Sequence, residues 1–117
     1  MEIYEESAAI YRALSHPVRL KILDLLRHGS LCVCHLEEIL DKRQAYVSQQ
    51  LSVLREAGLV ENERVGVQAY YRICHPNLQA LLAPLLGEEP RPLPELMAVC
   101  NPNLAIPKFD IELEIVR

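Results

Sequence analysis

Cys32 and Cys34 are separated by one residue in this 117-residue chain, and such a close pair of thiols can bind a metal ion or undergo redox chemistry. Thiolates are soft donors, so a close pair suits the thiophilic ions As(III), Sb(III), Cd(II), Pb(II) and Zn(II). A trivalent metalloid takes three thiolates, and Cys100 is the candidate for the third. The thiols therefore predict a metal or metalloid site at Cys32, Cys34 and Cys100.

The same thiols also permit redox chemistry, in which Cys32 or Cys34 forms a disulfide or polysulfide with Cys100. Acidic residues follow the pair in sequence and disfavour the thiolate, so the pattern favours metal binding over redox sensing. Cys74 follows the last predicted strand, and we expect it to be packed and unreactive. For His35 we expect a solvated position on a helix face rather than a role as a ligand.

Hydrophobic spacing predicts the elements that position these groups. Apolar residues recur at helical spacing in five segments. The predicted helices span residues 3–14, about 16–28, 30–41, about 44–57 and 75–86. Ser15 and Ser30 are the predicted N-caps of the second and third helices. On an ideal helix Cys32 and Cys34 lie about 200° apart, so we expect one ion to bind both only if the first helical turn unwinds.

A short polar connection, residues 41–43, joins the third and fourth helices into a helix-turn-helix. In residues 59–64 and 68–73 the pattern changes from the 3.6-residue period of a helix to the two-residue period of a strand. These two segments flank Gly66, so they predict a β-hairpin. We therefore expect a mainly α fold with a β-hairpin wing, a winged helix-turn-helix, over residues 1–87. Residues 88–117 form a proline-rich, acidic tail, for which we expect dimer contacts. Their alternating segment 109–116 indicates a strand, which needs a partner at the edge of the wing or in a second subunit.

The charge distribution keeps DNA among the expected partners, although the net charge is −4. Basic residues outnumber acidic ones over residues 42–72, and acidic ones prevail over 88–117. The chain carries no glycine-rich phosphate loop, GxSxG or HExxH motif, which disfavours an enzyme. Its apolar runs fall short of the ~18 residues of a membrane span, and the first residues are acidic, so we expect a cytoplasmic protein without membrane contact.

Four segments resemble, in the correct order, the motifs of the ArsR/SmtB family of bacterial metalloregulators. They are residues 14–23 (LSHPVRLKIL), 31–36 (LCVCHL), 47–60 (VSQQLSVLREAGLV) and 64–73 (RVGVQAYYRI). The resemblance covers roughly residues 8–86. It implies a homodimeric repressor, of the arsenic-resistance type, that leaves a palindromic operator when a soft metal or metalloid binds.

The chain departs from the family pattern at three positions of these motifs. Gln50 stands where His is common, His35 where Asp is common, and Glu37 where some arsenic-responsive members carry a third Cys. The proline-rich tail also replaces the regular dimerisation helix of many members.

The fourth helix is the predicted recognition helix in the major groove. The expected DNA contacts are Lys42, Arg43, Gln44, Tyr46, Ser48, Gln49, Ser52, Arg55, Arg64 and Gln68. The polar residues among them are expected to read bases, the basic ones to contact phosphates, and Gln68 to reach the minor groove. The alternative interpretation of these positions is a solvated polar face. The alternative for the chain as a whole is a metal-free winged-helix interaction module that binds no duplex.

Overall fold

A computed structural model describes residues 2–92, and within this range it contains five helices and a three-stranded antiparallel sheet. The elements are α1 (Glu2–Leu14), α2 (Pro17–Leu26), β1 (Leu31–Cys32), α3 (Val33–Leu40), α4 (Gln44–Glu56), β2 (Val60–Val65), β3 (Gln68–Ile73) and α5 (Leu78–Leu86). Cys100 and the predicted strand 109–116 lie outside the described residues.

Helix α2 begins at Pro17. Proline has no backbone N–H, but the first N–H groups of a helix have no intrahelical acceptor, so no helical hydrogen bond is lost at this position. Its N-cap is His16, whose Nδ1 accepts a hydrogen bond from the backbone N–H of Val18 at 3.1 Å. The predicted Ser15 cap is therefore wrong, since the Ser15 hydroxyl instead donates to the Arg12 carbonyl at 2.9 Å. The helix also ends two residues earlier than the predicted 28.

The segment before α3 differs most from the prediction, which placed it in a helix capped by Ser30. Leu31 and Cys32 instead form a strand that pairs antiparallel with Tyr71 and Tyr70 of β3, in the sheet order β1-β3-β2. The free edge of β3 supplies partners for the backbone groups of the segment, and two residues are too few to show an alternating pattern in sequence. Helix α3 consequently starts at Val33.

The predicted helix-turn-helix and hairpin are confirmed. Asp41, with φ 55°, is the C-cap of α3, and residues 41–43 connect α3 to α4. Strands β2 and β3 pair from Val60↔Ile73 to Val65↔Gln68, and Gly66 takes the positive φ of 64° that the two-residue turn requires. Strand β2 starts one residue later than predicted, and α5 starts at Leu78 rather than at residue 75.

A single hydrophobic core holds α4 in place. Val47, Leu51 and Leu54 of α4 are fully buried against side chains of α2, α3 and β2. Because this stripe fixes one side of α4 to the core, the opposite side faces solvent. Helix α1 leaves Tyr4 and Tyr11 exposed. Across residues 2–92, every helix is too short or too polar to cross a membrane.

Candidate metal centre and DNA-binding surface

Cys32 is both the last residue of β1 and the N-cap of α3. Its backbone is extended, with φ −76° and ψ 148°, and its sulfur accepts a hydrogen bond from the Cys34 N–H at 3.0 Å. The two Cα atoms are 5.2 Å apart, and the two sulfurs are bonded as a disulfide. The expectation that a helical turn must unwind to bring the two sulfurs together is therefore wrong, because Cys32 precedes the helix.

The disulfide also differs from the predicted redox pairing, which used Cys100. Cys32 and Cys34 are neighbours across one N-cap turn, so they need no partner from the tail to form a bond. Once reduced, the same two thiols can serve one soft cation as adjacent ligands. The adjacent pair is therefore compatible with metal binding and with disulfide formation.

The side chain of Cys32 is fully buried, and its sulfur lies 3.3 Å from the Oε1 atom of Gln68, the first residue of β3. A thiol at this position donates a hydrogen bond to that oxygen. A metal-bound thiolate or a disulfide has no proton to donate. The chemical state of Cys32 therefore decides whether its sulfur can donate a hydrogen bond to Gln68, which pairs with Val65 next to the turn of the wing.

His35 lies in the first turn of α3 and is half-buried rather than solvated, so the expectation of an exposed position is wrong. A ring nitrogen of His35 lies with the two sulfurs in a group whose atoms are all within 4.8 Å of one another. Its Nδ1 is buried and has no hydrogen-bond partner within residues 2–92. Burial lowers the pKa of His35, and the nearby Glu38 carboxylate partly opposes this effect. The lowered pKa favours the uncharged ring, which has a lone pair for a ligand.

Cys74 is exposed, which corrects the expectation that it is packed. Its thiol donates to the Gly58 carbonyl at 3.6 Å. Partial burial of the sulfur and the Glu61 carboxylate raise the pKa of the Cys74 thiol, and Arg72 opposes them. Cys74 is therefore a weak ligand at neutral pH. The position of Cys100 lies outside the described residues, so a site with three thiolates remains a prediction.

The described chain presents most of the predicted DNA-contacting residues at its surface. Exposed are Lys42, Arg43, Gln44, Ser48, Gln49, Arg55 and Arg64, and partly buried are Tyr46, Ser52 and Gln68. The Lys42 ammonium lies 5.7 Å from the centre of the Tyr46 ring. The side chain of Arg43, the N-cap residue of α4, makes no capping hydrogen bond, so the first backbone N–H groups of this helix have no side-chain cap from it. Such a helix start is suited to a phosphate.

The sequence assigned no role to Arg19, which connects α4, the predicted recognition helix, to α1. Its guanidinium donates to the Gln50 side-chain oxygen at 2.9 Å and to the carbonyls of Ala13 at 2.7 Å and Arg12 at 3.2 Å. Gln50 is only 7% exposed, on the buried side of α4. The sequence signal for this contact is an amide within an otherwise apolar stripe, because a buried amide requires a partner.

Comparisons with known proteins agree with this architecture. The family described as "Bacterial regulatory protein, arsR family" matches residues 16–62. An uncharacterised HTH-type transcriptional regulator of Methanocaldococcus jannaschii is 37% identical over 83 residues, which are 70% of this chain and 93% of that protein. The arsenical resistance operon repressor of Escherichia coli is 35% identical over 97 residues, 82% of each chain.

A solved structure extends the similarity to the fold. The solution structure of a homodimeric winged helix-turn-helix DNA-binding domain from Mycobacterium bovis has a TM-score of 0.67 and 32% identity, covering 72% of this chain and 78% of that one. These relatives are transcriptional regulators and not enzymes. The chain therefore belongs to the ArsR/SmtB family and is a DNA-binding transcriptional repressor with the winged helix-turn-helix fold.

Proposed function

We propose that this cytoplasmic repressor binds a palindromic operator as a homodimer and releases it when a thiophilic ion binds Cys32 and Cys34. The observation that carries the proposal is the position of Cys32, which ends a strand of the wing sheet and caps α3. Helix α3 packs against the recognition helix α4. An ion at this junction therefore acts on both elements that contact DNA.

Two classes of ion fit the proposal with different ligand sets. As(III) or Sb(III) takes three thiolates, and Cys100 is the candidate for the third, from the same or the other subunit. Cd(II), Pb(II) or Zn(II) accepts two thiolates together with other donors. In both cases the dithiol, not the disulfide, binds the ion.

The surface of α4 supports DNA as the partner. In this proposal Gln44, Tyr46, Ser48, Gln49 and Ser52 reach base edges in the major groove. The basic residues Lys42, Arg43, Arg55 and Arg64 flank them and contact phosphates. These positions lie on α4, in the turn before it and on β2, and they give a polar and basic surface around a helix whose other face is anchored in the core.

Dimerisation is supported by the apolar side chains that α1 and α5 leave exposed. Ile3, Tyr4 and Tyr11 of α1 and Leu85 of α5 are among the exposed large hydrophobic residues of the described chain. Apolar surface of this kind commonly marks a protein interface. A two-fold dimer also matches the symmetry of a palindromic operator, and the similar Mycobacterium bovis domain is homodimeric.

The test uses reduced protein under anaerobic conditions and a duplex that the ion-free protein selects from a random pool. We expect saturating Cd(II) or arsenite to weaken binding of this duplex by about 5–150-fold, the usual range of allosteric coupling. Cys32→Ser and Cys34→Ser should abolish the change, because each removes a ligand.

Cys74→Ser is the matched control and should respond like the wild type, since the Cys74 thiol is a weak ligand. Cys100→Ser separates the two classes of ion, because it should remove the response to arsenite and retain the response to Cd(II). If saturating arsenite and saturating Cd(II) both leave the operator affinity unchanged, the proposal of metal-induced release is wrong.

Gln49→Ala tests base reading by α4. Gln49 is exposed near the start of the helix, and a glutamine amide pairs with adenine through two hydrogen bonds. We expect the variant to lose about 1–3 kcal/mol of binding to the selected duplex and to tolerate substitutions at one base pair of each half-site. Competition binding with a set of single-substitution duplexes measures both effects. Equal weakening on every duplex would instead identify a phosphate contact.

The observed disulfide favours a second candidate function, thiol redox sensing at the same pair. A hydroperoxide would oxidise one thiol to a sulfenic acid and leave as the alcohol or water, and the second thiol would then form the disulfide with loss of water. Treatment with hydrogen peroxide should then remove two hydrogens from the protein mass and weaken operator binding in the absence of metal. Oxidation without any change in operator binding would exclude this function.

A further inference from the structure

Residues 32–35 bring three potential metal-binding atoms together within one turn of the chain. The sulfur atoms of Cys32 and Cys34 and a ring nitrogen of His35 all lie within 4.8 Å of one another. Zinc–sulfur and zinc–nitrogen bonds are about 2.3 and 2.0 Å long, so ligands of one such ion lie about 4 Å apart or less. After reduction of the disulfide, rotations of these three side chains are sufficient to place an ion between them.

The buried nitrogen of His35 is the second observation. Nδ1 is shielded from solvent and has no hydrogen-bond partner within residues 2–92. A buried polar atom normally has a partner, because burial removes its hydrogen bonds to water. The sulfur of Cys32, also inaccessible to solvent, belongs to the same group of atoms. A cation bound at Nδ1 would give the imidazole a partner that residues 2–92 do not supply.

We propose that His35 is the third protein ligand of this site, and that the site takes a thiophilic divalent ion, Zn(II) or Cd(II). The inference rests on the proposed function, because it takes Cys32 and Cys34 as the first two ligands. Two thiolates balance the charge of a divalent ion, and imidazole is a favourable donor for Zn(II). Trivalent arsenic takes three thiolates, so an imidazole at this position selects against it.

The ligand set has a structural consequence, because all three ligands come from one short segment of one subunit. Binding of the divalent ion then requires neither Cys100 nor the second subunit. A fourth position stays open for water, as is usual where the protein supplies three ligands. Binding at this position replaces the proton of Cys32 that faces Gln68 and fixes the first turn of α3.

The experiment is an anaerobic titration of the full, reduced chain with Co(II), a spectroscopic substitute for Zn(II), followed by competition with Zn(II). We expect thiolate-to-cobalt charge-transfer absorption and the visible bands of a four-coordinate ion. His35→Ala should weaken Co(II) binding by about tenfold or more and alter the visible bands, because changes around a metal site already have effects of this size. His35→Cys should restore tight binding and strengthen the charge-transfer absorption.

Two controls make the outcomes distinct. His75→Ala removes an imidazole that already accepts a hydrogen bond from the Asn77 N–H, and Cys100→Ala removes the tail thiol. Both should match the wild type in affinity and spectrum. Far-UV circular dichroism of His35→Ala verifies that its helices are intact, and ¹⁵N spectra of the Zn(II) form should show a shifted ring nitrogen only when His35 is present.

Failure of this inference is distinguishable from failure of the proposed function. If Cys34→Ser loses Co(II) while His35→Ala binds it with wild-type affinity and spectrum, His35 is not a ligand and the dithiol role stands. A loss of Co(II) binding in Cys100→Ala would overturn the single-segment site in the same way. If the wild type gives no thiolate-to-cobalt absorption, the inference and the proposed response to divalent ions are both wrong, whereas the proposed response to arsenite is decided by the operator-binding test.

Discussion

Replacing Arg19 by Met should lower the free energy of unfolding by about 2–4 kcal/mol, because hydrogen bonds to a charged group contribute about 1.5–3 kcal/mol each and this guanidinium is only partly buried. The change leaves the Gln50 amide, which is 7% exposed, without its charged donor, and removes a cation from the carboxyl end of α1. Chemical denaturation measures the stability. Lys21→Met, an exposed change on the same helix, is the control and should cost less than about 0.5 kcal/mol.

The same substitution should weaken operator binding beyond its effect on stability. Arg19 joins the end of α1 to the buried side of α4, so its loss releases the recognition helix from the helix that carries the exposed apolar face. Gln50→Leu removes only the link to α4, so it should lower operator affinity with a smaller loss of stability than the Arg19 variant. Gln50→Glu keeps an acceptor oxygen and should therefore retain more operator affinity than Gln50→Leu. Wild-type operator affinity in a folded Gln50→Leu variant would show that this contact is structural and does not position α4.

Replacing Gln68 by Leu should uncouple ion binding from DNA release. The Oε1 atom of Gln68 lies 3.3 Å from the sulfur of Cys32. A hydrogen bond between them needs the proton of the Cys32 thiol, which metal binding and disulfide formation both remove. We expect the ion to bind the variant normally while the ratio of operator affinities without and with ion falls from about 5–150-fold to less than about threefold. Thiolate–metal absorption measures ion binding, and fluorescence anisotropy of the selected duplex measures release.

Asn62→Leu, on an exposed position of the neighbouring strand β2, is the control and should leave the ratio unchanged. The variant also separates the two roles open to Gln68. As a minor-groove contact alone, Gln68 would lower operator affinity equally in the presence and absence of ion, and the ratio would stay at its wild-type value. That result would contradict the coupling through Cys32.

The Gln68 prediction rests on the junction between the ligand pair and the two elements proposed to contact DNA. Cys32 pairs with Tyr70 of β3 through its backbone and with Gln68 through its side chain, while it caps α3. A change at one sulfur therefore reaches the wing through the sheet and reaches α4 through α3. Short, well-packed connections of this kind transmit small displacements, because packed interiors deform little.

The sequence by itself determined the fold class and the position of α4. The spacing of Val47, Leu51 and Leu54 fixes which side of α4 is buried, and local hydrophobic periodicity is sufficient to show it. Gly66 likewise marks the hairpin turn, because a positive φ is a local requirement. The resemblance of four ordered motifs to the ArsR/SmtB family was also available from the sequence, and the comparisons confirmed it.

The tertiary structure decided the arrangement of the ligands. Leu31 and Cys32 carry no signal for a strand, and they become one only because β3, nearly forty residues later in the chain, offers a free edge. That pairing removes Cys32 from the helix, places its sulfur beside Cys34 and sets it against Gln68. The burial of His35 and the link from Arg19 to Gln50 depend in the same way on elements distant in sequence. Local patterns specify which face of an element is apolar, whereas contacts between polar side chains follow from how those faces are brought together.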